Sequence, residues 1–328
     1  MISSATIKNT IKYLLLLGIG ILLLWLTFKG HDLKKIFNDI YHARPLYVFL
    51  SVLAGFIAFL LRAYRWNMLI EPLGYRSDFF NASYALGLGY FANLAIPRIG
   101  EITRCGVLNR TDKIPMDKLI GTVITERVID LFMLFLSVAL AAALQFDLMT
   151  SFLRNKVFAG ANGGSNTAIY ILGVTAVSGI CAGMFLLFSK KPKAIKLREK
   201  IILLIRGVWA GLFSVMKVKS KACFVFHTIL IWALYFVSTY LCFFALDATA
   251  HLGWKEGLFI LVAGGLGMSA PVQGGIGAYH YIVSQALLLF GIAENDGITY
   301  ATLVHSYQML LIIVLGLISL FMIFIRKN

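Results

Sequence analysis

Apolar runs of about 18 or more residues recur from one end of this sequence to the other, each long enough to cross the roughly 30 Å hydrocarbon core of a bilayer as a helix. Hydrophobic residues fill 59% of the 328 positions and charged residues 14%, with a mean hydropathy of +0.83. One soluble globule of that composition would leave large apolar patches in water. The reading is an all-α polytopic membrane protein, a single integral domain over 1–328. Six full spans are expected, near 11–28, 45–64, 119–145, 168–189, 222–246 and 300–325. Two further regions, 79–110 and 257–290, are apolar but broken by Gly and Pro. Lys8 and Lys12 precede the first run and LWLTFKG follows it with no small-residue cleavage site, the pattern of a retained signal anchor.

Charge distribution orients these spans. The net charge of +15 is concentrated: ten of the 30 Lys and Arg fall between Lys190 and Lys221, against the single acid Glu199. That is the mark of a cytoplasmic loop drawn to anionic headgroups, and it accounts for the charge without nucleic acid as a partner. Inside the loop, IILLIRGVWAGLFSVMK (201–217) reads either as an interfacial amphipathic helix or as a linker helix under the bundle. With 190–221 inside, both termini are expected in the cytoplasm, and 45–64 delivers Arg62, Arg65 and Arg76 there. One loop disagrees, since 29–44 is placed outside yet holds four Lys and Arg against two Asp. Cys105, Cys181, Cys223 and Cys242 are scattered, with no CxxC and no His at ligand spacing, so neither a metal nor a disulfide framework is expected.

Tracing the chain this way makes 79–110 begin and end inside and 257–290 begin and end outside. Their break points are alike: Pro97-Arg98-Ile99-Gly100 follows LGLGYFANLAI, and Pro271-Val272-Gln273-Gly274 follows LVAGGLGMSA. A helix interrupted within the membrane leaves N–H and C=O groups that only protein, water or ligand can satisfy. Proline removes a donor and glycine permits the turn. Paired Gly/Pro-interrupted segments of opposite orientation are the pattern of an inverted repeat, so two re-entrant helix pairs around a midplane site are expected, with Pro97, Gly100, Pro271, Gly274, Gly275 and Gly277 as the helix-breaking positions. A pair of ordinary proline kinks is the plainer reading.

Charges sit where a span should carry none. Within 119–145, Glu126, Arg127 and Asp130 each cost about 2.5–3.5 kcal/mol at a helix centre, so they need partners. Glu126 and Asp130 are four apart and share a face. The expected counter-charges are Arg98 and Arg104, with Glu101 pairing Arg104 or Arg127. Such a cluster reads either as a salt-bridge network that holds the broken segment or as a phosphate site, because forked guanidinium donors suit bidentate phosphate contacts. The second break offers softer groups, Gln273 and His280 among them, with His280 read either as a titrating residue or as a hydrogen-bonded packing residue.

The ordered set RAYRW (62–66), NLAIPRIGEITR (93–104), ERVID (126–130) and PVQGGIG (271–277) resembles the lysylphosphatidylglycerol synthase transmembrane region, the flippase-like domain of multiple peptide resistance factors. The resemblance covers essentially the whole chain. It implies movement of an anionic or zwitterionic phospholipid, or of a polyprenyl-phosphate-linked lipid, between leaflets of a bacterial or archaeal cytoplasmic membrane. It also implies headgroup-binding roles for Asn93, Arg98, Glu101, Arg104, Glu126, Arg127 and Asp130, to which the residues of the second break add Gln273 and His280. A homo-oligomer or a separately encoded lipid-modifying enzyme are the partners it allows, with no cofactor. Two departures stand out: the chain ends three residues after its last expected span, with no soluble aminoacyl-transferring domain, and His280 replaces the Glu of the PxxGGxGxxE pattern. A membrane glycosyl- or phospho-transferase with Glu101 or Asp130 as base is the enzymatic alternative, and a non-catalytic scaffold the third. No GxxxxGK[ST] loop for ATP is present.

Overall fold

The computed structural model describes residues 18–145, 218–270 and 272–325, and everything described is helix, turn or loop, with no strand among these residues. The expected span 168–189, the loop 155–166, nearly all of the basic loop 190–221 with its segment 201–217, Cys181, Pro271, Lys8, Lys12, Arg326 and Lys327 lie outside the described residues. In chain order the helices are α1 (Gly18–Phe28), α2 (Leu33–Tyr41), α3 (Pro45–Ile70), α4 (Phe79–Ala95), α5 (Gly100–Thr111) and α6 (Met116–Leu144). After the undescribed stretch come α7 (Lys221–Leu241), α8 (Trp254–Ser269), α9 (Ala278–Leu288) and α10 (Glu294–Ile325).

Four of these helices, α3, α6, α7 and α10, are long and apolar enough to cross a membrane. Local chemistry starts several of them. Pro45 opens α3, where its missing N–H costs nothing, and Asp78 caps α4 by accepting from the Asn81 N–H. The outward faces of α6 and α10 leave Phe132, Phe135, Leu317, Phe321 and Phe324 more than half exposed, as lipid-facing helices require.

The helices follow one scheme twice. A long helix (α3, α7) is followed by two shorter helices joined by a break (α4 and α5; α8 and α9), then by another long helix (α6, α10). The packing repeats the scheme: α3 lies against α7, α4 against α10, and α8 against α6, so each broken pair is covered by the closing helix of the other half. At 17, 12, 16 and 11 residues, the four shorter helices are about 26, 18, 24 and 17 Å long, each less than the roughly 30 Å hydrocarbon thickness.

Small and hydroxyl residues let these helices approach closely. Ser51 of α3 donates to the Ser238 carbonyl at 2.7 Å, Ser238 Oγ donates back to the Ser51 carbonyl at 3.0 Å, and Tyr307 of α10 lies 2.7 Å from Ser51 Oγ. This buried knot joins three helices. Gly100 is packed so tightly that a Cβ there would strike the Gly89 carbonyl of α4 and the Asn93 side chain.

The structure revises two expected boundaries. The helix begun at Pro45 does not stop at 64 but runs to Ile70, and the last helix starts at Glu294 and not near 300. The first revision matters most, because it places Arg62 and Arg65 inside α3, fully or nearly buried, and not in a cytoplasmic loop. Their charges look like the end of a span only until their partners are seen.

Gly100→Val is expected to push α4 and α5 apart. An overpacking cost of about 1–3 kcal/mol or more should lower the thermal unfolding midpoint of the detergent-solubilised protein, whereas Gly106→Val, where a Cβ meets nothing within 4 Å, should leave it nearly unchanged.

Candidate functional site

The buried charges meet where α3, α5 and α6 converge. On α3, Arg62 and Arg65 are three apart and share a face; on α6, Glu126 and Asp130 are four apart and share one too. Arg62 ion-pairs with Glu126 and reaches Asp130 at 3.1 Å. Arg65 sits 2.7 Å from Asp130 and 3.7 Å from Glu126, and Arg104 of α5 sits 2.9 Å from the other Glu126 oxygen. Glu126 thus binds three guanidinium groups drawn from two other helices. It is 1% exposed, Arg65 is 0% and Arg104 is 2%.

Neighbours complete the arrangement. From α7, the Tyr235 hydroxyl accepts from Arg62 at 3.2 Å and the Thr228 hydroxyl from Arg65 at 3.5 Å. The Arg104 guanidinium lies over the Trp66 ring, 4.6 Å from its centroid, and the Trp66 indole N–H donates to Thr122 at 2.9 Å. Among the described residues, three guanidinium groups face two carboxylates, which leaves one positive charge in excess. Four buried donors carry no partner among the described residues: the Nε of Arg62, Arg65 and Arg104, and Nη2 of Arg104. Buried N–H groups on a cation are costly to leave unpaired, so this cluster has both the charge and the free donors for an anionic oxygen.

The other expected site residues fall into separate places. Glu101 pairs with Arg127 at 3.1 Å, with side chains 29% and 43% exposed, apart from the central network. Arg98 is exposed at the first break and, among the described residues, takes no part in the ion pairs, so the expectation that it is a principal counter-charge to Glu126 and Asp130 is corrected: Arg62 and Arg65 supply that charge instead. Asn93 accepts the Gly100 N–H at 2.7 Å and so ties the end of α4 to the start of α5 across Pro97. This side chain replaces the backbone acceptor that the break removes. Arg98 itself has φ 67°, uncommon for a residue with a Cβ, and makes the turn possible.

The second break is built differently. Val272 is extended, Gln273–Gly275 forms one turn of 3₁₀ helix, and Gly274, Gly275 and Gly277 have φ of 56°, 75° and 80°. A Cβ at Gly277 would strike the α1 backbone at Gly20 and Leu24, so glycine serves both the dihedral and the close approach. Gln273 and His280 are buried on or beside this segment, and His305 of α10 binds the Gly274 carbonyl at 2.9 Å. Both breaks therefore have their own side-chain support, but the two sets of residues are not one cluster.

Arg62 and Arg65 are the functional candidates that the charge reading missed. The signal was there: RAYRW puts two arginines on one helical face, as Glu126 and Asp130 lie on another. His305 carries no comparable signal, because its role depends on which carbonyl the fold brings to it.

The architecture and this site define a multi-pass α-helical membrane protein with two broken helix pairs and a buried arginine–carboxylate centre. The family model for the lysylphosphatidylglycerol synthase TM region matches residues 13–316, and the chain belongs to that family. It is also similar to the UPF0104 membrane protein MJ1595 of Methanocaldococcus jannaschii, 30% identical over 132 residues, which is 39% of this chain and 37% of that protein. No solved structure matches.

Glu126→Gln strands three buried arginines with Asp130 alone, and should destabilise the protein by about 3–5 kcal/mol in thermal or denaturant unfolding. Glu101→Gln removes a half-exposed pair and should cost no more than about 1 kcal/mol in the same assay.

Proposed function

We propose that this protein moves a phosphate-bearing lipid between the leaflets of a bacterial or archaeal cytoplasmic membrane, with the two broken helix pairs entering the bilayer from opposite faces as an inverted repeat. The observation that carries the proposal is the buried centre of three arginines and two carboxylates, with its uncompensated charge and unpartnered N–H donors. A purely structural ion-pair network would gain by balancing its charge. One that retains a positive excess in a medium of low dielectric is suited to receiving an anion.

The repeated packing scheme supports the same reading, since two halves that cover each other's broken helices can rock about a common centre. The headgroup would travel through a polar path between the broken pairs while the acyl chains stay in lipid. Without such a path, a charged headgroup faces a barrier of many kcal/mol in hydrocarbon. Arg98, exposed at the first break and outside the ion pairs, would meet the phosphate on entry, and Arg104 would receive it. Anionic or zwitterionic phospholipids and polyprenyl-phosphate-linked lipids all carry the group this chemistry selects. The membership of the family accords with a lipid partner. Both termini would lie in the cytoplasm.

The test is reconstitution of the full chain in liposomes containing fluorescent phospholipids of several headgroups and a labelled polyprenyl phosphate, read by a membrane-impermeant quencher. Movement no faster than in protein-free liposomes for every lipid would sink the proposal. Arg98→Asn keeps a residue that tolerates positive φ and removes the charge. It should leave the unfolding midpoint unchanged while slowing transport about tenfold, the effect of one lost charge-assisted contact.

A further inference from the structure

Two buried imidazoles stand beside the second break. His280 of α9 and His305 of α10 lie with ring centroids 4.7 Å apart and planes at 61°. They are 5% and 4% exposed. His305 Nε2 lies 2.9 Å from the Gly274 carbonyl. A carbonyl only accepts, so Nε2 carries the hydrogen, and Nδ1 is the basic atom of the neutral ring. His280 Nδ1 is buried with no hydrogen-bond partner among the described residues.

Among the described residues, the surroundings hold no counter-ion. Phe28 of α1 lies 5.9 Å from the His280 ring, and Tyr279 of α9 lies 5.3 Å from His305 and 6.3 Å from His280. From α8, Gly264 and Gly267 pack on Tyr279, while Leu94 of α4 and Met309 of α10 close over Gly274. Tyr279 belongs to one buried core cluster with Cys242, Tyr300 and Tyr307. Among the described residues, no Asp, Glu, Lys or Arg lies within ion-pair distance of either imidazole.

We propose that His280 and His305 form a one-proton binding site whose occupancy sets the conformation of the second break. Two imidazolium rings this close repel, so the pair takes a single proton. The described conformation suits the neutral pair, because a buried cation with no carboxylate near it is strongly disfavoured. Proton binding therefore favours a rearranged segment in which 272–277 leaves its packing on α1 and α10 and the charged ring meets water or an anion. Gly274, Gly275 and Gly277 give that segment the dihedral freedom to move. The proton site stands on the geometry of the pair alone. Only its role as the coupling ion rests on the transport reading.

The test follows hydrogen–deuterium exchange of amides 272–277 in the full chain in phospholipid nanodiscs from pH 8 to pH 5, corrected for the intrinsic exchange rate. Protection should fall by up to about tenfold per pH unit below the apparent pKa of the pair, the slope for one proton taken up on opening. His305→Gln, whose amide still donates to Gly274, and His280→Gln should each keep the protection seen at pH 8 and lose the pH-dependent fall. Selective ¹⁵N-histidine spectra of the unaltered protein give a second reading free of any folding defect in the variants. Flat protection together with no imidazole titration between pH 4 and pH 8 overturns the site, as does a fall that persists in both variants. A pH-dependent fall without lipid movement at any pH leaves the proton site standing and removes transport. Movement driven by an imposed proton gradient, and lost in either variant, supports both.

Discussion

Glu126 is the interaction on which the rest of this structure depends. A carboxylate 1% exposed within a membrane helix is tolerable only if opposite charge and hydrogen bonds replace the water it gives up. Here the replacement comes from Arg62, Arg65 and Arg104. Those three side chains belong to α3 and α5, so satisfying one carboxyl group fixes three helices at once. The same contacts let α3 carry two arginines through its interior to Ile70. They also set where α5 can lie, and with it the first break.

Each break then solves the problem of an interrupted helix by different means. At the first, a side chain supplies the missing acceptor: Asn93 takes the Gly100 N–H, and Arg98 adopts the left-handed turn. At the second, glycines supply the turn and a histidine on another helix holds one of the carbonyls. The two halves thus share a helix order and a packing scheme while their break chemistry has diverged. The arginine centre carries fixed positive charge, whereas the second break carries a pair of buried imidazoles.

That division separates groups of permanent charge from groups whose charge depends on protonation. Fixed guanidinium groups bind phosphate at any physiological pH, whereas imidazoles respond to conditions. Close glycine contacts bring α4 and α5 together beside the charged centre. Positive-φ glycines make the second turn, and a Cβ at Gly277 would strike the α1 backbone as well.

Much was legible before any coordinates. Run length and composition alone dictate membrane helices, because backbone and apolar side chains must both be satisfied without water. Proline and glycine mark the two breaks, since their backbone limits are local, and the four spaced motifs identify the family. The 3.6-residue period places Glu126 and Asp130 on one face without any knowledge of what that face meets. What the tertiary structure alone decided is which charges become partners. Hydropathy treats Arg62 and Arg65 as the end of a span, whereas packing buries them against carboxylates more than 60 positions away. It sends Arg98, close in sequence to Glu101, to an exposed turn, and it brings His305 to Gly274. Periodicity is a property of neighbours along the chain, but compensation of a buried charge depends on distance in space, and only the folded bundle sets that distance.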